Sequence, residues 1–173
     1  MQTLFISDIH GIIDHLDKID VYLKSSDLIV ILGDIFYAGA NRNSNHNYDP
    51  KHLKRVLNVY KNKIIAVEGN MDGYEEGVEF ELSLLESRMI DGHKMYFTHG
   101  HYYHSSDLNI KPGDIFITGH SHVPQIKKEA GIYYLNPGSL SLPRNEIASF
   151  MVYQNNQFTI YDINHQIIDF LNL

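Results

Sequence analysis

The chain has 173 residues, 43% hydrophobic and 20% charged, a composition that suits one water-soluble globular domain with a core of its own. A formal net charge of −7 argues against a broad grip on nucleic-acid backbone, which needs clustered Lys and Arg, and no apolar run reaches the roughly 18 residues of a bilayer span. There is no cysteine, so disulfides and thiolate metal sites are excluded, and any metal must be held by nitrogen and oxygen, as suits a cytoplasmic enzyme.

Met1-Gln2-Thr3 runs directly into an apolar, β-branched strand over residues 3–7, so no secretory leader is expected. The strand ends at Asp8-Ile9-His10-Gly11. Ile12, Leu16, Ile19 and Leu23 then recur at helical spacing, and Ser25-Ser26-Asp27 breaks the helix. Leu28-Ile29-Val30-Ile31-Leu32 is apolar without interruption, the pattern of a strand buried on both faces, and it stops at Gly33-Asp34. Strand, helix and strand of these lengths form a βαβ unit with parallel strands, whose ligand sites lie at the carboxyl ends.

Residues 37–49 are Asn-rich and read as a surface loop beside Asp34. Pro50 opens a second helix carrying Leu53, Val56, Leu57 and Tyr60, whose Lys51, Lys54 and Arg55 read as a solvated face. A third strand over residues 63–67 ends in Glu68-Gly69-Asn70-Met71-Asp72. Beyond residue 80 the pattern changes to hairpins, turning at Asp91-Gly92, at Ala130-Gly131 and at Asn155-Asn156. Two apolar runs in that half lead into Thr98-His99-Gly100-His101 and Thr118-Gly119-His120-Ser121-His122. The sequence shows no repeat and no linker, so a single domain over 1–173 is expected.

Asp8, His10, Asp34, Asn70, His99, His120 and His122 therefore stand at five strand ends. Taken singly, each motif has a plainer reading: Asp-x-His as a helix cap with a surface imidazole, Gly-Asp as a turn, Gly-Asn-Met-Asp as an Asx-turn. All of them in order, each at a strand exit, favour a joint reading as a two-metal site. Two divalent cations need a bridging carboxylate, terminal ligands and open positions for water and substrate. Asp34, alone at the tip of the most buried strand, suits the bridge. Asp8 and His10 suit one ion, Asn70 the other, and the later histidines complete both shells.

Asp8-x-His10, Gly33-Asp34, Gly69-Asn70, His99-Gly100 and Gly119-His120-x-His122 resemble the calcineurin-like metallophosphoesterase superfamily. Ser7 to Gly11, Thr98 to His101 and Asn136-Pro137-Gly138-Ser139 are similar to its small single-domain bacterial phosphodiesterases, the YfcE type. The likeness covers residues 4 to about 162. It implies an α/β fold, a four-layer α/β/β/α sandwich of two mixed β-sheets. It further implies that Asp8, His10, Asp34 and His122 hold one ion while Asp34, Asn70, His99 and His120 hold the second, with Asp34 and Asn70 at the catalytic centre. A metal-bridging hydroxide would attack the phosphorus. Nitrogen and oxygen ligands suit Mn²⁺, Ni²⁺, Co²⁺, Fe²⁺ or Zn²⁺, and the resemblance favours Mn²⁺.

Many superfamily members carry His after the motif asparagine. Here Met71 stands there and cannot donate a proton. His101 is the substitute candidate for the leaving-group acid, its alternative role being to orient His99 or its loop. Asp72 is expected to brace its own loop, and Arg42 and Arg144 are candidates to approach a phosphate. His46, His52, His93 and His165 read as surface residues. Tyr102, Tyr103 and His104 are candidates to line the pocket.

The expected substrate is a small phosphodiester, with no long nucleic acid and no membrane as partner; self-association is left open. A nuclease would want a basic track, and a monoesterase more cationic donors near the metals. A phosphomonoesterase or nucleotide pyrophosphatase at the same site, and a protein-binding scaffold that kept the fold and lost the chemistry, are the alternatives.

Overall fold

The computed structural model of the chain describes residues 1–37, 39, 47–73 and 77–173. Its first half alternates strands and helices: β1 (Gln2–Ile6), α1 (Leu16–Ser25), β2 (Leu28–Ile31), α2 (Pro50–Val59) and β3 (Ile64–Val67), then the two-residue β4 (Leu82–Ser83). The second half is built of strands: β5 (Leu85–Ile90), β6 (His93–Thr98), β7 (Ile115–Ile117), β8 (Pro124–Glu129), β9 (Ile132–Pro137), β10 (Ser149–Gln154), β11 (Gln157–Asp162) and β12 (Ile167–Asn172).

These strands make two mixed sheets, ordered β12-β11-β10-β1-β2-β3-β4 and β5-β6-β7-β9-β8. β1 to β4 are parallel, as the βαβ reading requires. The three expected hairpins form, and Asp91-Gly92, Ala130-Gly131 and Asn155-Asn156 each hold two successive positive φ angles, the backbone of a turn whose twist matches that of the strands.

The two sheets are mixed, as expected, because β10 pairs antiparallel with β1 and carries β11 and β12 into the first sheet, while β6, β7 and β9 run parallel. Two features depart from the sequence reading. β12 is an additional edge strand, with Ile167 and Phe170 exposed and no clean alternation to mark it. α1 starts at Leu16 rather than Ile12, because Ile12 bridges Tyr48 and Ile13 donates its N–H to Asn47 O.

The alternation of each strand divides the core. Leu4, Ile6, Ile29, Ile31 and Phe150 pack against Leu16, Ile19 and Leu23 of α1 and Leu53 and Leu57 of α2. Phe5, Val30, Met151, Tyr153 and Phe158 face the second sheet, where Met95, Phe97, Ile115, Ile117 and Leu135 meet them. Burying each such side chain contributes about 1.5–3 kcal/mol, so the layer between the sheets fixes their stacking. On the outer face of the second sheet lie Phe116 and Tyr134; the segment after β6, with a 3-10 turn at Ser105–Asp107, reaches this face through Tyr103, His104 and Ser105. Among the described residues no helix is long and apolar enough to cross a membrane.

Candidate metal centre

The chain leaves β1, β2, β3, β6 and β7 toward one edge, and backbone bonds stitch the exits together. Asp8 N donates to Gly33 O at 3.0 Å, His10 N to Asp34 O at 2.8 Å, and Gly119 N to His99 O at 3.1 Å. Two glycines allow this approach: a Cβ on Gly69 would run into Asp34, and one on Gly119 into Ser7 Oγ. Asp8, His10, Asp34, His120 and His122 all sit in the left-handed region, with φ between 52° and 63°. Non-glycine residues enter that region at a cost, and where they cluster the rest of the structure is over-determining them.

That backbone turns the side chains inward. Asp8, His10, Asp34 and His122 each offer a ligand atom, all within 4.8 Å of one another. His122 Nε2 lies 3.2 Å from Asp8 Oδ1, and His10 Nε2 lies 3.7 Å from Asp34 Oδ2. His99 joins them, its Nε2 3.5 Å from Asp34 Oδ2 and 3.2 Å from Asn70 Oδ1. The other nitrogen of each ring is tethered: His10 Nδ1 to Tyr37 O at 2.8 Å, His99 Nδ1 to Leu32 O and His122 Nδ1 to Leu142 O, both at 2.6 Å. A carbonyl can only accept, so Nδ1 carries the proton and Nε2 of a neutral ring presents a lone pair to the centre.

The carboxylates are held equally firmly. Asp8 Oδ2 accepts from Ser7 Oγ at 2.7 Å and from His120 N at 3.1 Å; Asp34 Oδ1 accepts from Met71 N at 2.8 Å. Asp8 Oδ1 and His10 Nε2 are buried and make no hydrogen bond among the described residues. Imidazole and carboxylate lone pairs turned toward each other in a buried pocket repel unless a cation stands between them. The donor set, oxygen and nitrogen only, fits a divalent transition metal.

Charge follows the same geometry. Burial pushes the Asp8 carboxyl up to about 6, although His99, Ser7 and His10 all pull it down. Burial also raises Asp34, but its hydrogen bond with His99, the charge of His99 and the Met71 N–H outweigh this and hold it below the usual range. Burial lowers His99, yet Asp34 and Asp8 overcome it and raise the imidazole. Burial and then His99 lower His101 and His120; burial lowers His122 as well, against its bond to Leu142, with Arg144 adding to the fall. In the metal-free chain the raised His99 and the lowered Asp34 favour a hydrogen bond where the donor set fits a cation.

The predicted residues are thus not all brought together equally. Asp8, His10, Asp34, His99 and His122 form the floor, whereas Asn70 and His120 stand at the exposed rim, the His120 ring 5.0 Å from that of His99. His101 lies above them, 5.4 Å from the His99 ring and 6.3 Å from His120, with its Nδ1 buried and unpartnered among the described residues. Asp72 braces its loop, accepting from Ile35 N and Gly69 N. Arg144 is exposed, its backbone N–H on His122 O. Tyr103 and His104 line a neighbouring cavity, whereas Tyr102 points to solvent, 62% exposed. His165 is exposed and His52 and His93 are half-buried; Arg42, His46 and most of the loop predicted over 37–49 lie outside the described residues.

Sequence reasoning missed the supports. Ser139 Oγ donates to Asp8 O at 2.8 Å and accepts from Leu142 N at 2.8 Å, tying the Asp8 loop to the turn that tethers His122. Ser139 stood in the sequence as the end of the Asn136-Pro137-Gly138-Ser139 motif, without the role the structure gives it.

A calcineurin-like phosphoesterase superfamily domain matches residues 1–157. The phosphodiesterase YfcE of Escherichia coli K12 is 27% identical over 175 aligned residues, covering 97% of this chain and 95% of its own. A probable metallophosphoesterase of Mycoplasma pneumoniae is 26% identical over 83% of this chain and 82% of its own. The solved structure of YfcE, a phosphoesterase from Escherichia coli, superposes with a TM-score of 0.91, covering 99% of this chain and 98% of that one. Vps29 of Chaetomium thermophilum shares the fold at a TM-score of 0.68 and 17% identity, with 99% and 95% coverage.

Proposed function

The chain belongs to the calcineurin-like phosphoesterase superfamily and is a phosphoesterase; from that premise we propose that it is a cytoplasmic, metal-dependent phosphodiesterase acting on a small diester at a dinuclear centre. The observation that carries the reading is the convergence of three tethered imidazoles on Asp8 Oδ1 and Asp34 Oδ2. Asp8, His10, Asp34 and His122 hold one ion; Asp34, Asn70, His99 and His120 hold the other. Two bound divalent ions, Mn²⁺ ahead of Ni²⁺, Co²⁺, Fe²⁺ or Zn²⁺, supply Lewis acidity that clamps phosphoryl oxygens and lowers the pKa of the attacking water.

The protein's own groups do the rest. The carbonyls of Tyr37, Leu32 and Leu142 keep His10, His99 and His122 in the ligating tautomer. Asp34 balances cationic charge while Met71 N–H fixes its orientation. Arg144, beside His122, offers one guanidinium to a phosphoryl oxygen. One exposed arginine beside the centre among the described residues suits the one charge of a diester better than the two of a monoester. His101, whose ring stands 5.4 Å from that of His99 above the centre, is placed to donate a proton to the leaving-group oxygen.

The reading is tested by reconstituting the protein with Mn²⁺, counting bound metal, and assaying diesters, monoesters and cyclic nucleotides side by side. We expect two ions per chain and faster turnover of bis(p-nitrophenyl) phosphate than of p-nitrophenyl phosphate. Activity confined to monoesters overturns the diester assignment, and a protein that takes up no metal overturns the centre.

His101→Gln should lower turnover by about a hundredfold on diesters with alkoxide leaving groups and only severalfold with p-nitrophenolate, which needs no acid. An equal loss on both substrates reassigns His101 to orienting the His99 loop.

A further inference from the structure

A cavity of about 390 Å³ opens next to the centre, against the outer face of the second sheet. His120 belongs to both, forming one wall of the cavity while its ring lies 5.0 Å from that of His99. We propose that this cavity is the subsite for the organic group of the phosphate ester, and that it takes a neutral, flat ring with hydrogen-bonding edges, the chemistry of a nucleobase. The inference rests on reading the neighbouring site as a phosphodiesterase and adds the class of its substrate.

The lining decides the class. Among the described residues that line it there is no Lys, Arg, Asp or Glu, so a second phosphate or a carboxylate would find no permanently charged partner, only hydroxyls, amides and the imidazoles of His104 and His120. Three aromatic rings do line it. Phe116 and Tyr134 meet edge to face at 6.2 Å, and Tyr103 approaches from the segment after β6. Such walls favour a flat ring over an alkyl group, because stacking is available to every base whatever its edge. The volume is that of a small-molecule pocket rather than a water site.

The polar rim divides into committed and available groups. Asn136 is committed: its Nδ2 donates to Gly119 O at 2.7 Å and to Ser121 Oγ at 3.0 Å, and its Oδ1 accepts from Gly138 N. The Gln125 amide lines the same cavity and makes no hydrogen bond among the described residues, leaving a donor and an acceptor side by side. That pair matches the edge of a base or an amide-bearing ring.

The test uses three p-nitrophenyl phosphodiesters with the same leaving group and charge, differing only in the second ester group: methyl, phenyl and 5′-thymidyl. With metal-loaded protein, kcat/KM should be at least tenfold higher for the thymidyl than for the methyl ester, with phenyl between them. Val123→Trp, an exposed position at the cavity wall, should shrink the thymidyl-to-methyl ratio below threefold. Equal values across the three esters, or a ratio that Val123→Trp leaves intact, overturn the subsite. Should no diester be hydrolysed, the phosphodiesterase reading fails and thymidine alone decides the cavity. Titrated into Zn²⁺-loaded protein and followed by amide NMR, it should shift Gly119 and the side-chain amides of Asn136 and Gln125, and an unshifted spectrum overturns the inference.

Discussion

Diester turnover should fall by at least about a thousandfold in Asp34→Ala, and bound metal from two ions per chain to one or none. Among the described residues no other carboxylate faces both His10 and His99 as closely: Asp34 Oδ2 lies 3.7 Å from one Nε2 and 3.5 Å from the other. Losing one preorganised donor at a transition state costs about 10²–10³ in rate, and losing a bridging ligand displaces the ions as well. Asp34→Asn sharpens the result. It keeps an oxygen to accept from Met71 N, so the loop stays in place while the charge is lost. Metal content and kcat measured on both variants check the prediction, and a variant that retains two ions and a tenth of its activity refutes the bridging role.

The second large effect reverses sign with metal. Asp8→Asn should abolish activity, yet in the presence of a chelator at pH 7.5 it should be more stable than the wild type, by up to about 3 kcal/mol. Asp8 titrates at about 6 in the folded chain against 3.8 for the free side chain, so the folded state binds more protons than the unfolded state across that interval. The contribution of Asp8 to the stability of the metal-free protein therefore falls as pH rises from about 4 to about 6 and stays low above. The raised His99 contributes in the same sense, its stabilisation present at low pH and lost as the imidazole deprotonates. The introduced asparagine carries no charge, its oxygen can accept from Ser7 and His120, and its NH₂ can donate to the His122 lone pair. With metal the order inverts. Each ion at a hundred times its Kd adds about 2.7 kcal/mol to the wild type, which together raise Tm by about 10–20 °C. Urea unfolding at pH 4 and 7.5, with chelator and with Mn²⁺, checks both halves. A variant equally destabilised at both pH values without metal refutes the account of a buried charge.

The sequence made the clustered residues legible because each is a chemically distinctive side chain close to a glycine at the end of an apolar run. The turns were legible for a similar reason: Asp91-Gly92 declares its backbone conformation. The groups that complete the site were not. The tethers of His10, His99 and His122 are backbone carbonyls of Tyr37, Leu32 and Leu142, and a carbonyl leaves no trace in residue type. Long-range pairing was hidden as well. Nothing local in residues 115–117 says that they run parallel to both β6 and β9, and the exposed faces of β12 carry no alternation. The cavity was legible only at Tyr103 and His104, its walls coming from three separate stretches of chain.

The left-handed backbone at Asp8, His10, Asp34, His120 and His122 carries a standing strain. Each position costs about 1 kcal/mol or more relative to glycine, and net stabilities of domains are only about 5–15 kcal/mol. Replacing any one of the five with glycine would relieve that strain but would also remove side-chain hydrogen bonds such as those of Asp8 with Ser7 and His120. Carboxylate and imidazole at all five positions thus keep strained backbone in the chain for groups that its apolar core does not use.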